Sequence, residues 1–424
     1  MAMAPIPTRV LSCDPGSITF SADEPIYSDP ETENSIKTAV HHLTERHVVA
    51  FPTETVYGLG ALALDASAAT KIFSTKGRPS DNPLIVHISS RAMLASFLPP
   101  SYTPSPTYET LMRVFWPGPL TLLFPADPSR VPSTITAGHP TVAVRMPAHP
   151  VARALIAETG GPLAAPSANA SGKPSPTRAA HVMRDLGCTG RLPLLLDGGA
   201  CSVGLESTVV DGLGGDGALR VLRPGGTTVE ALVDALGRDA AAIGGGGGAG
   251  GGAEPPRVLV HKRDFVLGRR EEDAPTTPGM KYRHYAPGVP VTLLYTATAT
   301  SSTDGKGKGA GEGGSGIAPR RLAMDAFFRE MERGASGRLG LMAQDDSPLL
   351  ARARLDGARW LTFSLGESAE PARAAQRLFE GLLGLEEQGV ERIFVQEVAE
   401  EREGLAFMNR VKKAAGTSLR IVDV

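Results

Sequence analysis

The sequence predicts an α/β protein of two domains, a twisted mixed-sheet domain followed by a second, Rossmann-like and mostly parallel one. Three observations carry that prediction. Short runs of Val, Ile and Leu alternate with helical patterns along most of the 424 residues, a rhythm of strands under helical cover rather than of a bundle. Up to about residue 240 the runs are repeatedly broken by Pro and Gly, whereas after 289 strand and helix alternate regularly, as βαβ units do. Between the two regimes lie glycine tracts, GGGGGAGGG at 244–252 and DGKGKGAGEGGSG at 304–316, which lose much backbone entropy on ordering and bury almost nothing.

In chain order, 35–46 reads as a helix and 48–51 as a strand. The segment 65–76 reads as a helix with Asp65 as its N-cap. The run LIVHIS (84–89) is strand-like, 90–98 and 106–115 are helical, and TLLF (121–124) and TVAVRM (141–146) are short apolar runs. LPLLLD (192–197), STVVD (207–211), LRVLRP (219–224) and a helix at 228–236 close the first region. The second runs through VTLLYT (291–296), a helix near 319–333, RLGLMA (338–343), WLTFSL (360–365), a helix at 368–387, RIFVQEV (392–398), a helix near 403–415 and LRIVDV (419–424). The expected organisation is a catalytic-type domain at 30–240, a linker at 241–288, and an α/β domain at 289–424.

Composition removes several classes. The 43 basic residues against 45 acidic ones leave a charge of −2, which argues against a protein that coats nucleic acid through bulk charge. Three cysteines, Cys13, Cys188 and Cys201, make no disulfide framework and no CxxC pair. No 18-residue apolar stretch is present, and residues 1–20 lack a secretory pattern. The expected compartment is the cytoplasm, with a mitochondrial pool left open.

Two patterns are decoys. GLGGDG at 212–217 fits G-x-G-x-x-G, but it leaves one strand-like run and enters another, so it reads as a hairpin connection rather than a dinucleotide loop. His41 and His42 are adjacent on a helix and point apart, and no other histidine spacing suits a metal. There is no G-x-x-x-x-G-K-[ST] either, so ATP chemistry here would not use that loop.

Three polar loops stand beside apolar strands. In FPTETVYGLG (51–60) Thr53, Glu54, Thr55 and Tyr57 follow a strand directly, and two glycines permit close backbone approach. In STKGRPSDNPL (74–84) Lys76 and Arg78 set a point charge beside a planar fork, a pair suited to phosphate or carboxylate. In APSANASGKPS (165–175) Ser167 and Asn169 supply small donors and acceptors after a short apolar run. Each loop alone also reads as an ordinary helix end or turn.

Together PTETVYGLG, K-G-R-P-x-x-N-P-L and the S-x-N of PSANASG resemble the YrdC-type domain of threonylcarbamoyladenylate synthases. The likeness continues through Leu84–His87, WPGPLT (116–121), VAVRMP (142–147), ESTVVD (206–211) and Leu222–Gly225. KYRHYAP (281–287), followed by a second α/β domain, is similar to the long form of that family. It covers about 30–235 and 278–424.

The resemblance implies an enzyme that joins L-threonine, bicarbonate (CO2) and ATP into L-threonylcarbamoyl-AMP and pyrophosphate, for modification of adenosine 37 in tRNAs reading codons that begin with A. It assigns Lys76 and Arg78 to catalysis, and Lys76, Arg78, Ser167, Asn169 and Arg223 to ATP. Thr55, Arg78, His87 and Ser207 fall at the threonine, and Tyr282, His284 and Tyr285 in a lid at 278–288. Mg2+ is expected with the nucleotide phosphates, not on a protein ligand set. The expected downstream partner is a tRNA threonylcarbamoyl-transferase complex; direct tRNA contact is left open. The competing reading is a module that binds double-stranded RNA or tRNA without synthase activity. The second domain is expected to stabilise the linker.

Overall fold

The computed structural model describes residues 7–244, 254–261, 284–297 and 321–424. They fall into two compact units, Met1–Lys281 and Tyr282–Val424.

In the first unit the strands are β1 (Arg9–Ser12), β2 (Ile18–Ser21), β3 (Glu24–Tyr27), β4 (Val49–Phe51), β5 (Gly58–Leu62), β6 (Ile85–His87), β7 (Leu120–Pro125), β8 (Thr141–Arg145), β9 (Leu163–Ala164), β10 (Leu194–Asp197), β11 (Thr208–Asp211), β12 (Leu219–Arg223) and β13 (Val258–Val260). Eleven of them form one mixed sheet in the order β1-β10-β4-β5-β9-β6-β8-β7-β11-β12-β13, and β2 and β3 make a separate hairpin. Because β1 pairs with β10, the unit begins well before residue 30. The segment PRVLV, which carried no clear regular pattern, supplies β13 and pairs with β12. GLGGDG lies between β11 and β12, which are antiparallel; it is a hairpin connection.

Local chemistry sets the helix ends. The Asp29 carboxylate accepts from Glu31 N and Thr32 N and starts the helix Pro30–Thr44, with Pro30 in the first turn where its missing N–H costs nothing. Asp65 accepts from Ala68 N at 3.0 Å and starts the helix Ala66–Lys76. Gly77, at φ 64°, ends that helix in the left-handed conformation that glycine adopts without a Cβ penalty. Pro30–Thr44 and Pro150–Thr159 pack on the sheet through Ile36, Ala39, Leu43, Val151 and Leu155 against Val49, Phe51, Leu194 and Leu196, all fully buried.

The second unit contains β14 (Val291–Ala297), β15 (Arg321–Ala323), β16 (Leu339–Ala343), β17 (Trp360–Ser364), β18 (Arg392–Gln396) and β19 (Leu419–Asp423). They form a sheet in the order β15-β19-β14-β18-β16-β17, and every pairing is parallel. This is the Rossmann-like arrangement the alternating pattern predicts. The helix expected near 319–333 begins at Met324, because Arg321–Ala323 pairs with β19 as a strand. The core gathers Phe327, Phe328, Trp360 and Phe394 in edge-on and tilted contacts with centroids 4.7–6.3 Å apart. Among the described residues no helix is long and apolar enough to cross a membrane.

Candidate active site

Lys76 is the last residue of its helix, and its side chain is 5% exposed. Its Nζ donates to the carbonyl of Ser167, to that of Asn169 at 2.6 Å and to Asn169 Oδ1 at 3.5 Å. An ammonium has three donors, and all three point into the 167–169 loop. Asn169 Nδ2 in turn donates to the carbonyls of Ala170 (2.8 Å) and Lys173 (2.9 Å). Gly58 and Ser167 form a β-bridge, and Ala168 N donates to Tyr57 O at 2.8 Å, so the PTETVYGLG loop lies alongside S-x-N. Burial, and then the nearby Arg78, hold the Lys76 amine well below its usual pKa, while Asp185 and Glu206 oppose that shift. Half-buried Arg78 turns Nη2 toward the carbonyls of Asn82 (3.3 Å) and Pro83 (3.0 Å). Asn82 Oδ1 is buried there without a partner among the described residues.

The sheet supplies the other half. In register, His87 faces Arg145 and Arg145 faces Thr121 across β6, β8 and β7. Directly paired residues share a face, so these three polar side chains make a row that passes into Ile85, Ala143 and Leu123 two residues away. Thr121 Oγ1 lies 2.7 Å from Ser207 Oγ. Arg223 Nε and Nη2 donate to Ser207 O at 3.2 and 2.8 Å, and Nη2 approaches Ser207 Oγ at 3.3 Å. Thr55 joins at the other end by accepting from Arg145 Nη1 at 2.7 Å. Burial and then Arg145 lower the His87 imidazole to about 3, so it is neutral at physiological pH.

Residues 41–225 match the Sua5/YciO/YrdC family model, described as telomere recombination. Residues 229–416 match the model described as threonylcarbamoyl-AMP synthase, C-terminal domain. The threonylcarbamoyl-AMP synthase of Bacillus subtilis is 39% identical over 93% of this chain and 95% of its own length. That of Schizosaccharomyces pombe is 37% identical over 91% and 89%. The structure of P. abyssi Sua5 complexed with L-threonine superposes with a TM-score of 0.71 at 33% identity, covering 98% of this chain and all of that one. The chain belongs to the Sua5-type threonylcarbamoyl-AMP synthases. Its activity is the ATP-using synthesis after which that family is named.

In this Sua5-type synthase the expected residues Thr55, Lys76, Arg78, His87, Ser167, Asn169, Ser207 and Arg223 all lie in the first unit. Of the expected lid, Tyr282 lies outside the described residues. His284 and Tyr285 belong to the second unit, where the buried Tyr285 ring stands 5.5 Å from Phe379 and 5.7 Å from the Arg410 guanidinium carbon. Tyr285 has φ 65°, and its N–H donates to His284 Nδ1 at 3.0 Å. Burial raises the Cys201 thiol far above its usual pKa.

Several polar residues that contact these candidates, or their neighbours, were given no role from the sequence. Arg145 is 3% exposed, and its guanidinium is shared among Glu54, Thr55 and Gly118. Ser175 Oγ donates to Glu206, and Thr121 meets Ser207. The available signal was an arginine inside the apolar run TVAVRM, because such a charge must find a buried partner.

Proposed function

We propose that this site joins L-threonine, CO2 from bicarbonate and ATP into L-threonylcarbamoyl-AMP with release of pyrophosphate. The observation that supports it best is the row that runs from Thr55, hydrogen-bonded to Arg145, through the strand register of Arg145 with His87 and Thr121, to the hydrogen bonds of Thr121 with Ser207 and of Ser207 with Arg223. The threonine amine adds to CO2 and loses a proton to give a carbamate. A carbamate oxygen then forms a bond to the α-phosphorus while the bond to the leaving pyrophosphate breaks.

Negative charge grows on phosphoryl oxygens and on pyrophosphate in that step, and fixed cations stabilise it more than they stabilise the reactants. Arg78 and Arg223 are assigned to meet that charge. Lys76 is assigned to catalysis from behind Ser167 and Asn169, whose carbonyls it holds. Thr55, Arg78, His87 and Ser207 take the threonine end, and Ser167 and Asn169 orient the nucleotide. Mg2+ enters as the companion of ATP. Among the described residues no three His, Cys, Asp or Glu side chains are grouped to hold a metal.

The carbamate is short-lived in water, so a segment around 278–288 with Tyr282, His284 and Tyr285 is assigned to shield it. The product passes to a tRNA threonylcarbamoyl-transferase complex that modifies adenosine 37 of tRNAs reading codons that begin with A. The test is pyrophosphate release with threonine, bicarbonate and ATP omitted in turn. Loss in all three omissions is expected. Release that persists without threonine or bicarbonate overturns the reading, and salt-dependent binding of duplex RNA without any release favours the RNA-binding alternative.

A further inference from the structure

Glu54 is 7% exposed, and none of the steps above uses it. One carboxylate oxygen receives Arg145 Nη2 and the other receives the backbone N–H of Ala148 at 3.0 Å. Arg145 spends its remaining nitrogens on Thr55 Oγ1 at 2.7 Å and Gly118 O at 3.1 Å. Thr53 Oγ1 lies 2.6 Å from Val56 O and 2.8 Å from Thr55 Oγ1. A carbonyl only accepts, so the Thr53 proton goes to Val56 O, while Thr53 Oγ1 receives the backbone N–H of Thr55 and of Val56, each at 3.2 Å, as well as the Thr55 hydroxyl. Arg145 in turn donates to Thr55. Thr55 therefore has its proton and one lone pair committed, and a single acceptor site left.

We propose that Glu54 is a positioning residue for the threonine end of the site. It neutralises and orients the buried Arg145 guanidinium, and through it keeps the Thr55 hydroxyl an acceptor for an N–H or O–H group of the amino-acid substrate. This rests on the assignment of Thr55 to threonine. A buried guanidinium without a counter-charge is costly, and Glu54 is the carboxylate that pairs with Arg145, through a short charge-assisted contact. Glutamine cannot replace it. Its NH2 would have to face either Ala148 N–H or Arg145 Nη2, and both are donors. Aspartate keeps the charge but is one methylene short of reaching both.

The test uses the full-length protein, with pyrophosphate release measured while threonine and ATP are varied separately. Glu54→Gln should raise the KM for threonine at least tenfold and leave the KM for ATP within twofold, with Glu54→Asp in between. An unchanged threonine KM, or threonine and ATP KM rising together, overturns the proposal. If Glu54→Gln does not fold, Glu54→Asp reads the same split. A second readout is independent of catalysis: a double-mutant cycle in urea unfolding with Glu54→Asp, Arg145→Lys and the pair. Additive effects there overturn the Glu54 proposal by itself. A wild-type enzyme with no threonine dependence instead overturns the reading of the site, and the cycle still reports on Glu54.

Discussion

Lys76 Nζ lies 2.6 Å from the carbonyl oxygen of Asn169, and the same nitrogen also reaches Ser167 O and Asn169 Oδ1. The amine thus braces the 167–169 loop, which is proposed to hold the nucleotide. Lys76→Ala should leave buried carbonyls unpaired and cost about 1–3 kcal/mol, together with a loss of threonine-dependent pyrophosphate release of at least a hundredfold. Arg78→Ala should lose turnover to a similar degree with a smaller loss of stability, because Arg78 is only half-buried. Thermal melts and release assays on both variants check the difference. Near-normal turnover in either variant contradicts the assignment.

His87 titrates at about 3 in the folded protein, because it is buried beside Arg145, against about 6.5 unfolded. A depressed folded value means that the unfolded chain binds the extra proton first. The stabilisation is complete above pH 6.5 and is lost as pH falls toward 3, at about 1.4 kcal/mol per pH unit inside that window. Urea unfolding between pH 7 and 4 should therefore show a steeper acid loss for wild type than for His87→Asn. Parallel curves count against a neutral buried imidazole.

Gly225 follows β12 and Arg223, which is proposed to meet the nucleotide phosphates. A Cβ there would stand 2.3 Å from Glu206 O and 2.4 Å from Ser207 C. Backbone atoms cannot yield as a flexible side chain can, so Gly225→Ala should cost about 1–3 kcal/mol or more and displace Ser207. We expect a lower Tm and a reduced kcat. Wild-type values for both show that the turn has slack.

Tyr285 is 1% exposed beside Phe379 and Arg410. Tyr285→Ala should destabilise the second unit by about 3–5 kcal/mol, as for a large buried ring, and lower turnover as well. Tyr285→Phe keeps the ring and should keep the stability. If Tyr285→Phe also loses turnover at an unchanged Tm, the hydroxyl acts in catalysis; if Tyr285→Ala melts like wild type, the ring is not an anchor.

Helix ends were legible because their chemistry is local. Asp65 reads as an N-cap and does start a helix, which runs to Lys76 as the pattern predicts. Ser167 and Asn169 stood out only as small polar residues after a short apolar run, and the role expected of them came from the family resemblance. What stayed hidden depends on pairing. The row of His87, Arg145 and Thr121 exists only through the registers of β6, β8 and β7, and the partner of a strand is not written in its own residues. β9 has two residues and no periodicity to read. β1 and β13 are short edge strands whose patterns carry little weight alone.

The strand order β4-β5-β9-β6-β8-β7-β11-β12 has a consequence for when the enzyme can work. Thr55 follows β4, while Arg223 ends β12, some 170 residues later in the chain. Contacts so distant in sequence form late, after much loop entropy has been lost. With Thr55 and Arg223 in one site as proposed, a chain emerging from the ribosome lacks a complete site until β12 has been made and paired. Truncation before residue 223 should then leave a protein with part of its sheet and no threonine-dependent consumption of ATP.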